Sequence, residues 1–269
     1  MTAARRRPPR HVHAAPVMGS TASIHVIGDL APVAFADVVR GCMTELRRAD
    51  RVFSTYRDDS DLRRIARGEL AVWDADPLYA KVVAACAAAE RDTGGLFRAE
   101  FAGEFDPTGL VKGWAVERAA RMWLAPLLDE PGRVQAAGLT VGGDMQLFAA
   151  DGADWTWNVG IVDPADAGRV IATVPVRNGA VATSGTAERG AHIVDPRTGA
   201  PATGAASATV IADSLTRADV FATAAVVAGI EDLSWAGRIP EASGVVVSPD
   251  GRVRRFLGGI EVQTSPAAA

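Results

Sequence analysis

The stretch HIVDPRTGAP (residues 192–201), followed by ADVFAT (residues 218–223), decides how this chain reads. The first is expected to be a strand that carries His192 and breaks into a rigid Pro/Gly turn. The second sets Asp219 and Thr223 four residues apart, on one face of a helix. A titratable ring and two hard oxygen ligands are what a magnesium–pyrophosphate site requires. Each feature also has an ordinary alternative. An aspartate can complement a helix N-terminus, a helical threonine can bond the carbonyl one turn back, and a strand histidine is commonly an internal hydrogen-bonding residue.

Hydrophobic periodicity places the neighbouring elements. On the near side, AVATSGTAERG (residues 180–190) reads as a polar turn between two strands. SATVIA (residues 207–212) reads as a strand, and the helix carrying Asp219 is expected over residues 216–227, ending at Gly229. Residues 245–247 and 252–256 read as a terminal hairpin through Pro249-Asp250-Gly251. Towards the N-terminus, residues 20–27 alternate as a strand, residues 34–53 have helical period, and Ser60 is placed to cap a short helix. Residues 75–93 form a further helix, and an amphipathic helix follows the turn Asp106-Pro107-Thr108-Gly109. Residues 134–141 read as a strand before a Gly142-Gly143-Asp144 turn, and residues 155–162 and 169–176 as paired strands. Strands joined by short turns and interrupted by helices imply an α+β fold: a single domain with mixed, largely antiparallel sheets and packed helices.

Composition narrows the function classes. The chain has 269 residues, 48% apolar and 22% charged, so a packed core is expected. A net charge of −4 gives no reason to expect nucleic acid as a partner. No apolar run is long enough to span a membrane, so no membrane insertion is expected. Two cysteines, Cys42 and Cys86, lie in apolar helical patterns without metal-ligand spacing and read as structural thiols in a reducing compartment. Residues 1–15 are basic and proline-containing and lack the apolar run of an export signal. They are expected to be a flexible arm, with the domain at 16–269 and a cytoplasmic address.

Other candidates are weaker one by one. Gly142-Gly143-Asp144 and Thr183-Ser184-Gly185-Thr186 read as turns that present N–H groups to an anion. Asp106 and Lys112 flank a turn-to-helix junction, where a helix N-terminus attracts phosphate. Tyr56 and Trp114 offer ring-stacking surfaces. His25 reads as a surface or internally satisfied histidine. No serine-hydrolase elbow, zinc-protease helix, Walker or dinucleotide fingerprint occurs.

Taken in order, MGS (residues 18–20), FSTYRDDSDLRRI, DPTGLVKGWAVERAA, GGD, WNVGIVDP, VATSGTAERGAHIVDPRTGAP and TVIADSLTRADVFATAAVVAG resemble the FAD:protein FMN transferases, the ApbE-type flavin transferases. The resemblance runs over residues 17–230. It implies an Mg2+-dependent enzyme for which FAD is the substrate. The FMN half would pass to a Thr/Ser hydroxyl of an acceptor flavoprotein carrying a Ser/Thr-Gly-Ala-Ser/Thr-like motif, and AMP would leave. By position, Asp219, Thr223 and the Gly109 carbonyl would hold the metal. Met18, Tyr56, Asp106, Lys112 and Ile193 would line the FAD site, and His192 would act on the acceptor hydroxyl as the catalytic group. Between Thr93 and Phe105 the chain is shorter than the family pattern. An FAD pyrophosphatase releasing FMN and AMP is the alternative within the enzyme class, and a non-catalytic FAD-binding protein the alternative outside it.

Overall fold

The computed structural model describes residues 7–101, 103–130, 132–185, 193–258 and 260–262. In chain order they form β1 (Arg10–Val17), β2 (Ser20–Gly28), α1 (Pro32–Phe53), α2 (Asp61–Ala66), α3 (Leu78–Asp92), β3 (Glu100–Phe101), β4 (Glu104–Phe105), α4 (Thr108–Trp123), β5 (Val134–Val141) and β6 (Asp144–Ala149). These are followed by β7 (Trp157–Asp163), β8 (Asp166–Val176), β9 (Gly179–Gly185), β10 (Ser207–Ala212), α5 (Leu215–Ala228), β11 (Ser243–Val247), β12 (Val253–Leu257) and β13 (Ile260–Val262). Nine strands pair antiparallel in the order β1-β2-β5-β6-β9-β10-β11-β12-β13. The α+β architecture expected from the strand and turn pattern is present.

The helices cover one face of this sheet. α1 buries Val38, Cys42, Leu46, Ala49 and Val52, an i, i+3, i+4 stripe. α4 packs through small residues, Ala115, Ala119 and Ala120, so its backbone approaches its neighbours closely. α5 is buried nearly all round, and Asp219 is the one charged residue among its buried positions. The β7–β8 hairpin covers the other face: Val159 and Val176 pack with Leu147 and Val181, and Ile161 with Val245 and Val247. Central strands are therefore apolar on both faces, as the run of buried residues in β5 records.

Three expectations are corrected here. The flexible arm over residues 1–15 fails from Arg10 onwards, because Arg10 to Val17 pairs residue for residue with Ile27 to Ser20. A basic, proline-containing segment is an acceptable edge strand, since an edge needs partners on one side only. AVATSGTAERG is not a turn in its first half. Residues 180–185 belong to β9, a central strand between β6 and β10, whose polar Thr183 and Ser184 mark its end beside the helices. The strand expected at His192 reduces, among the described residues, to a single bridge between Val194 and Pro201. The segment folds instead around Asp195, whose carbonyl accepts the N–H groups of Thr198 and Gly199. Arg197 clamps the Asp195 carboxylate and donates to the Val227 carbonyl near the end of α5, which fixes the turn to that helix.

Candidate functional site

The turns at one end of the sheet and the first turns of α4 meet the middle of α5. The β1–β2 connection is Met18–Gly19, with φ of 52° and 67°, and Met18 is the one described non-glycine residue with positive φ. Such a backbone costs an L-residue about 1–2 kcal/mol, so the side chain at Met18 is held there against strain. Gly142–Gly143 forms the β5–β6 turn, and the Gly142 N–H donates to the Thr21 carbonyl (3.1 Å). That bond draws the two turns together.

Asp219 is 4% exposed, and its Oδ2 accepts the backbone N–H of Gly113 at 2.9 Å. In a regular helix that N–H is aimed at the Gly109 carbonyl, four residues back. Its engagement by Asp219 ties carboxylate and carbonyl to one donor, and the carbonyl oxygen keeps a lone pair for another partner. At Gly113 a side chain could enter only if α4 and α5 shifted. A Cβ there would lie 2.7 Å from Asp219 Cβ and 2.9 Å from both Asp219 Oδ2 and the Leu215 carbonyl. One turn further along α5, Thr223 Oγ1 is 3.2 Å from Ser184 Oγ at the end of β9. A Cβ on Gly109 would stand 3.8 Å from the Thr223 methyl. Gly109, Asp219 and Thr223, separated by up to 114 positions in the chain, thus share one locus.

Lys112 projects from α4 to Asp144, whose carboxylate is fully buried, and the ion pair measures 2.8 Å. Asp144 Oδ1 also accepts the Thr183 N–H at 3.2 Å. The Thr183 N–H is therefore engaged within the protein and not presented to an anion, and Thr186 lies outside the described residues. Glu117, one turn beyond Gly113, accepts from Ser214 Oγ, Thr216 N–H and Thr216 Oγ1 at 2.7, 2.9 and 2.7 Å. Burial pushes the Glu117 carboxyl up, but these bonds and Arg121 outweigh it and hold it below its ordinary value. Glu117 caps the start of α5 and so fixes the helix that carries Asp219.

The donor set is all hard oxygen: one carboxylate, two hydroxyls and a peptide carbonyl. Among the described residues no three His, Cys, Asp or Glu side chains converge. That set fits Mg2+, which takes hard oxygen ligands, one or two of them carboxylates, and completes its shell with phosphate and water, and does not suit zinc.

Other expected residues fall as follows. Asp106 is exposed and accepts the Thr108 N–H at 2.9 Å, in the turn that leads into α4. The Tyr56 ring is 91% exposed, three residues past the end of α1. Trp114 is not an open stacking surface, because it packs edge-on against Phe53. Ile193 is buried in the main core. His25 is satisfied, bonded to Ser23 Oγ and Arg10, its pKa lowered by burial and by Arg10. His192 lies outside the described residues. Gly113 and Glu117 escaped the sequence reading, and Ser184 entered it only within a candidate anion-binding turn, not as a neighbour of Thr223. Their partners are 106, 97 and 39 positions away, and no local signal reports such distances.

Fold and site define an α+β domain with a hard-oxygen, lysine-flanked locus between two helices at one end of an antiparallel sheet. The ApbE family profile matches residues 18–103 and 100–245, and the chain belongs to the ApbE family. The FAD:protein FMN transferase of Rhodobacter capsulatus is 39% identical over 108 residues, 37% of this chain and 20% of that protein. The match thus spans about a fifth of the relative's length. The ApbE protein of Thermotoga maritima superposes with a TM-score of 0.75 at 22% identity, over 92% of this chain and 97% of that one. The apo flavinyl transferase ApbE of Pseudomonas stutzeri gives 0.71 at 21% identity, over 94% and 97%. The flavin transferase ApbE of Vibrio cholerae gives 0.65 at 19%, over 93% and 97%. At these identities the structural likeness establishes the fold.

Proposed function

We propose that the chain transfers the FMN half of FAD to a threonine or serine hydroxyl of an acceptor protein, in an Mg2+-dependent reaction that releases AMP. The observation that carries this reading is the convergence of Asp219, Thr223 and Gly109 beside Lys112, in a chain of the ApbE family. Asp219, Thr223 and the Gly109 carbonyl would hold the ion, which when bound neutralises charge on the pyrophosphate. The start of α4 and Lys112 favour an anion at the same place.

In the transfer, the acceptor Oγ loses its proton and forms a bond to the FMN phosphorus. The bond from that phosphorus to the bridging oxygen breaks, and AMP leaves with the oxygen. His192 is the base in this reading. Met18, Tyr56, Asp106, Lys112 and Ile193 border the FAD. Tyr56 is free to stack on a ring, whereas buried Ile193 contributes its backbone and the packing behind it. The acceptor carries a Ser/Thr-Gly-Ala-Ser/Thr-like motif, and the reading includes a cytoplasmic address. The buried free thiols of Cys42 and Cys86, both pushed up to about 12 by burial, accord with a reducing compartment. Among the described residues no helix is long and apolar enough to cross a membrane.

The test is AMP release followed together with the mass of an acceptor protein, with FAD and Mg2+ present. An acceptor heavier by one FMN, with AMP formed and both lost on adding EDTA or in Asp219→Ala, supports the transferase. AMP with free FMN and an unmodified acceptor replaces it with a pyrophosphatase. Bound FAD without AMP leaves a flavin-binding protein. A His192→Ala protein with full transfer removes the histidine from the mechanism.

A further inference from the structure

β1 is an outermost strand of the nine-stranded sheet, and among the described residues no backbone group bonds its outer side. Register determines which groups are open. Val17 pairs with Ser20 across a two-residue turn, so Val17, Ala15, His13 and His11 exchange hydrogen bonds with β2. The Gly28 N–H reaches the Pro9 carbonyl in the same phase at 2.9 Å. The N–H and C=O groups of Arg10, Val12 and Ala14 therefore point away from the sheet. Pro16 stands in that outward phase too, where the missing N–H costs no bond within the sheet.

Beside this edge a groove of about 430 Å³ runs between β1 and α1. Phe35, Val39 and Met43 give it an apolar floor, and His13, Arg40 and Arg47 a basic rim. Arg40 pairs with Asp37, whereas Arg47 has no carboxylate partner among the described residues. The chain as a whole carries a charge of −4, and with Arg40 paired to Asp37 the positive charge this rim offers a partner is that of Arg47. An acidic, extended segment complements both features: its backbone completes the open ladder, and its side chains reach the apolar floor and Arg47.

We propose that this edge and groove dock an acidic, extended segment of the acceptor protein as an added strand; calling the partner the acceptor rests on the transferase reading. β1 runs into Met18, at the end of the sheet where Gly142–Gly143 and Ser184 stand. An added strand is thereby aimed at the candidate site. From Val12 to Met18 is about 20 Å of extended chain, so the modified hydroxyl lies within about ten residues of the docked segment.

The test is fluorescence anisotropy of a labelled peptide of about twelve residues, aspartate alternating with valine, added to the full chain. A second peptide has lysine for aspartate. Val12→Pro removes an outward N–H while sparing every β1–β2 bond, as Pro16 does naturally, and Arg47→Glu reverses the rim. The expected result is that each substitution weakens the aspartate peptide about tenfold or more, that the lysine peptide does not bind, and that FAD binding without peptide is unchanged. Equal binding of both peptides, or full binding to Val12→Pro, overturns the proposal. So does a dimer seen by sedimentation that Val12→Pro dissolves, since a second copy would then own the edge. Because the assay reads no turnover, peptide binding with no FMN transfer to any protein would refute the transferase reading and leave the docking edge standing.

Discussion

Replacing Gly113 by alanine isolates the contact on which the site's geometry depends. The new methyl would begin 2.7 Å from Asp219 Cβ and 2.9 Å from its Oδ2. Carbon atoms in contact rest at about 3.5–4.0 Å, so α4 and α5 must part locally by about 1 Å. Stability is affected by two opposing terms. Alanine gains about 1 kcal/mol over glycine within a helix, and overpacking costs about 1–3 kcal/mol. The net loss is therefore about 0–2 kcal/mol, a Tm shift of a few degrees at this size. The Asp219 carboxylate, in contrast, moves about 1 Å relative to Gly109 and Lys112, and a misplacement of that size costs about 10²-fold in rate. That corresponds to about 2.7 kcal/mol in the barrier. The expected outcome is a folded protein whose AMP release at saturating FAD falls about a hundredfold and whose Mg2+ half-saturation rises. Urea unfolding read beside AMP formation checks both parts. Wild-type AMP release with an unchanged Mg2+ dependence would refute the reasoning, because Asp219 would then not act through its placement. Loss of more than about 4 kcal/mol of stability would refute the local account as well, since it would show collapse of the packing instead of a shift within it.

Two further outcomes follow from the buried charges. Lys112→Met leaves the fully buried Asp144 without its ammonium partner and is expected to cost about 3 kcal/mol in urea unfolding, whereas Lys112→Met with Asp144→Leu recovers much of it. A double variant no more stable than the single one would show that the pair is not coupled. For Glu117, the folded-state pKa lies below the unfolded value, so its contribution is complete above the unfolded value of about 4.3 and is lost as pH falls through the folded one. Glu117→Gln is therefore expected to be less stable than wild type by about 1–3 kcal/mol at pH 7, with the difference disappearing once wild-type Glu117 is protonated. A gap that persists in acid would assign the effect to lost packing.

Local pattern accounts for much of this molecule. The period of α1, the Ser60 cap of α2, Gly229 after α5, the β7–β8 pair and the Pro-Asp-Gly hairpin between β11 and β12 were all legible in the sequence. Each depends on residues within a few positions of one another, which is the range over which backbone conformation and amphipathic spacing act. The spacing of Asp219 and Thr223 belongs to the same class, because one helical turn places both on one face. β1, β6 and β9 did not read as strands, and for β1 and β9 the reason is different. RHVHAAPV is tolerated as a strand because it is an edge, and AVATSG because β6 and β10 supply its bonds on both sides. Neither condition is written in the segment itself.

What tertiary structure alone decided is which groups meet. Gly113 reaches Asp219, Ser184 reaches Thr223, Glu117 caps a helix that begins 98 residues later, and Lys112 pairs with Asp144. Short-range pattern was enough for the helices, about half of the strands, the α+β class and one oxygen pair of the candidate site. Local interactions select among a few backbone conformations, so a short window of residues reveals them. Contacts across the sheet and between helices depend on how separate elements pack, and that choice is made only when the whole core closes.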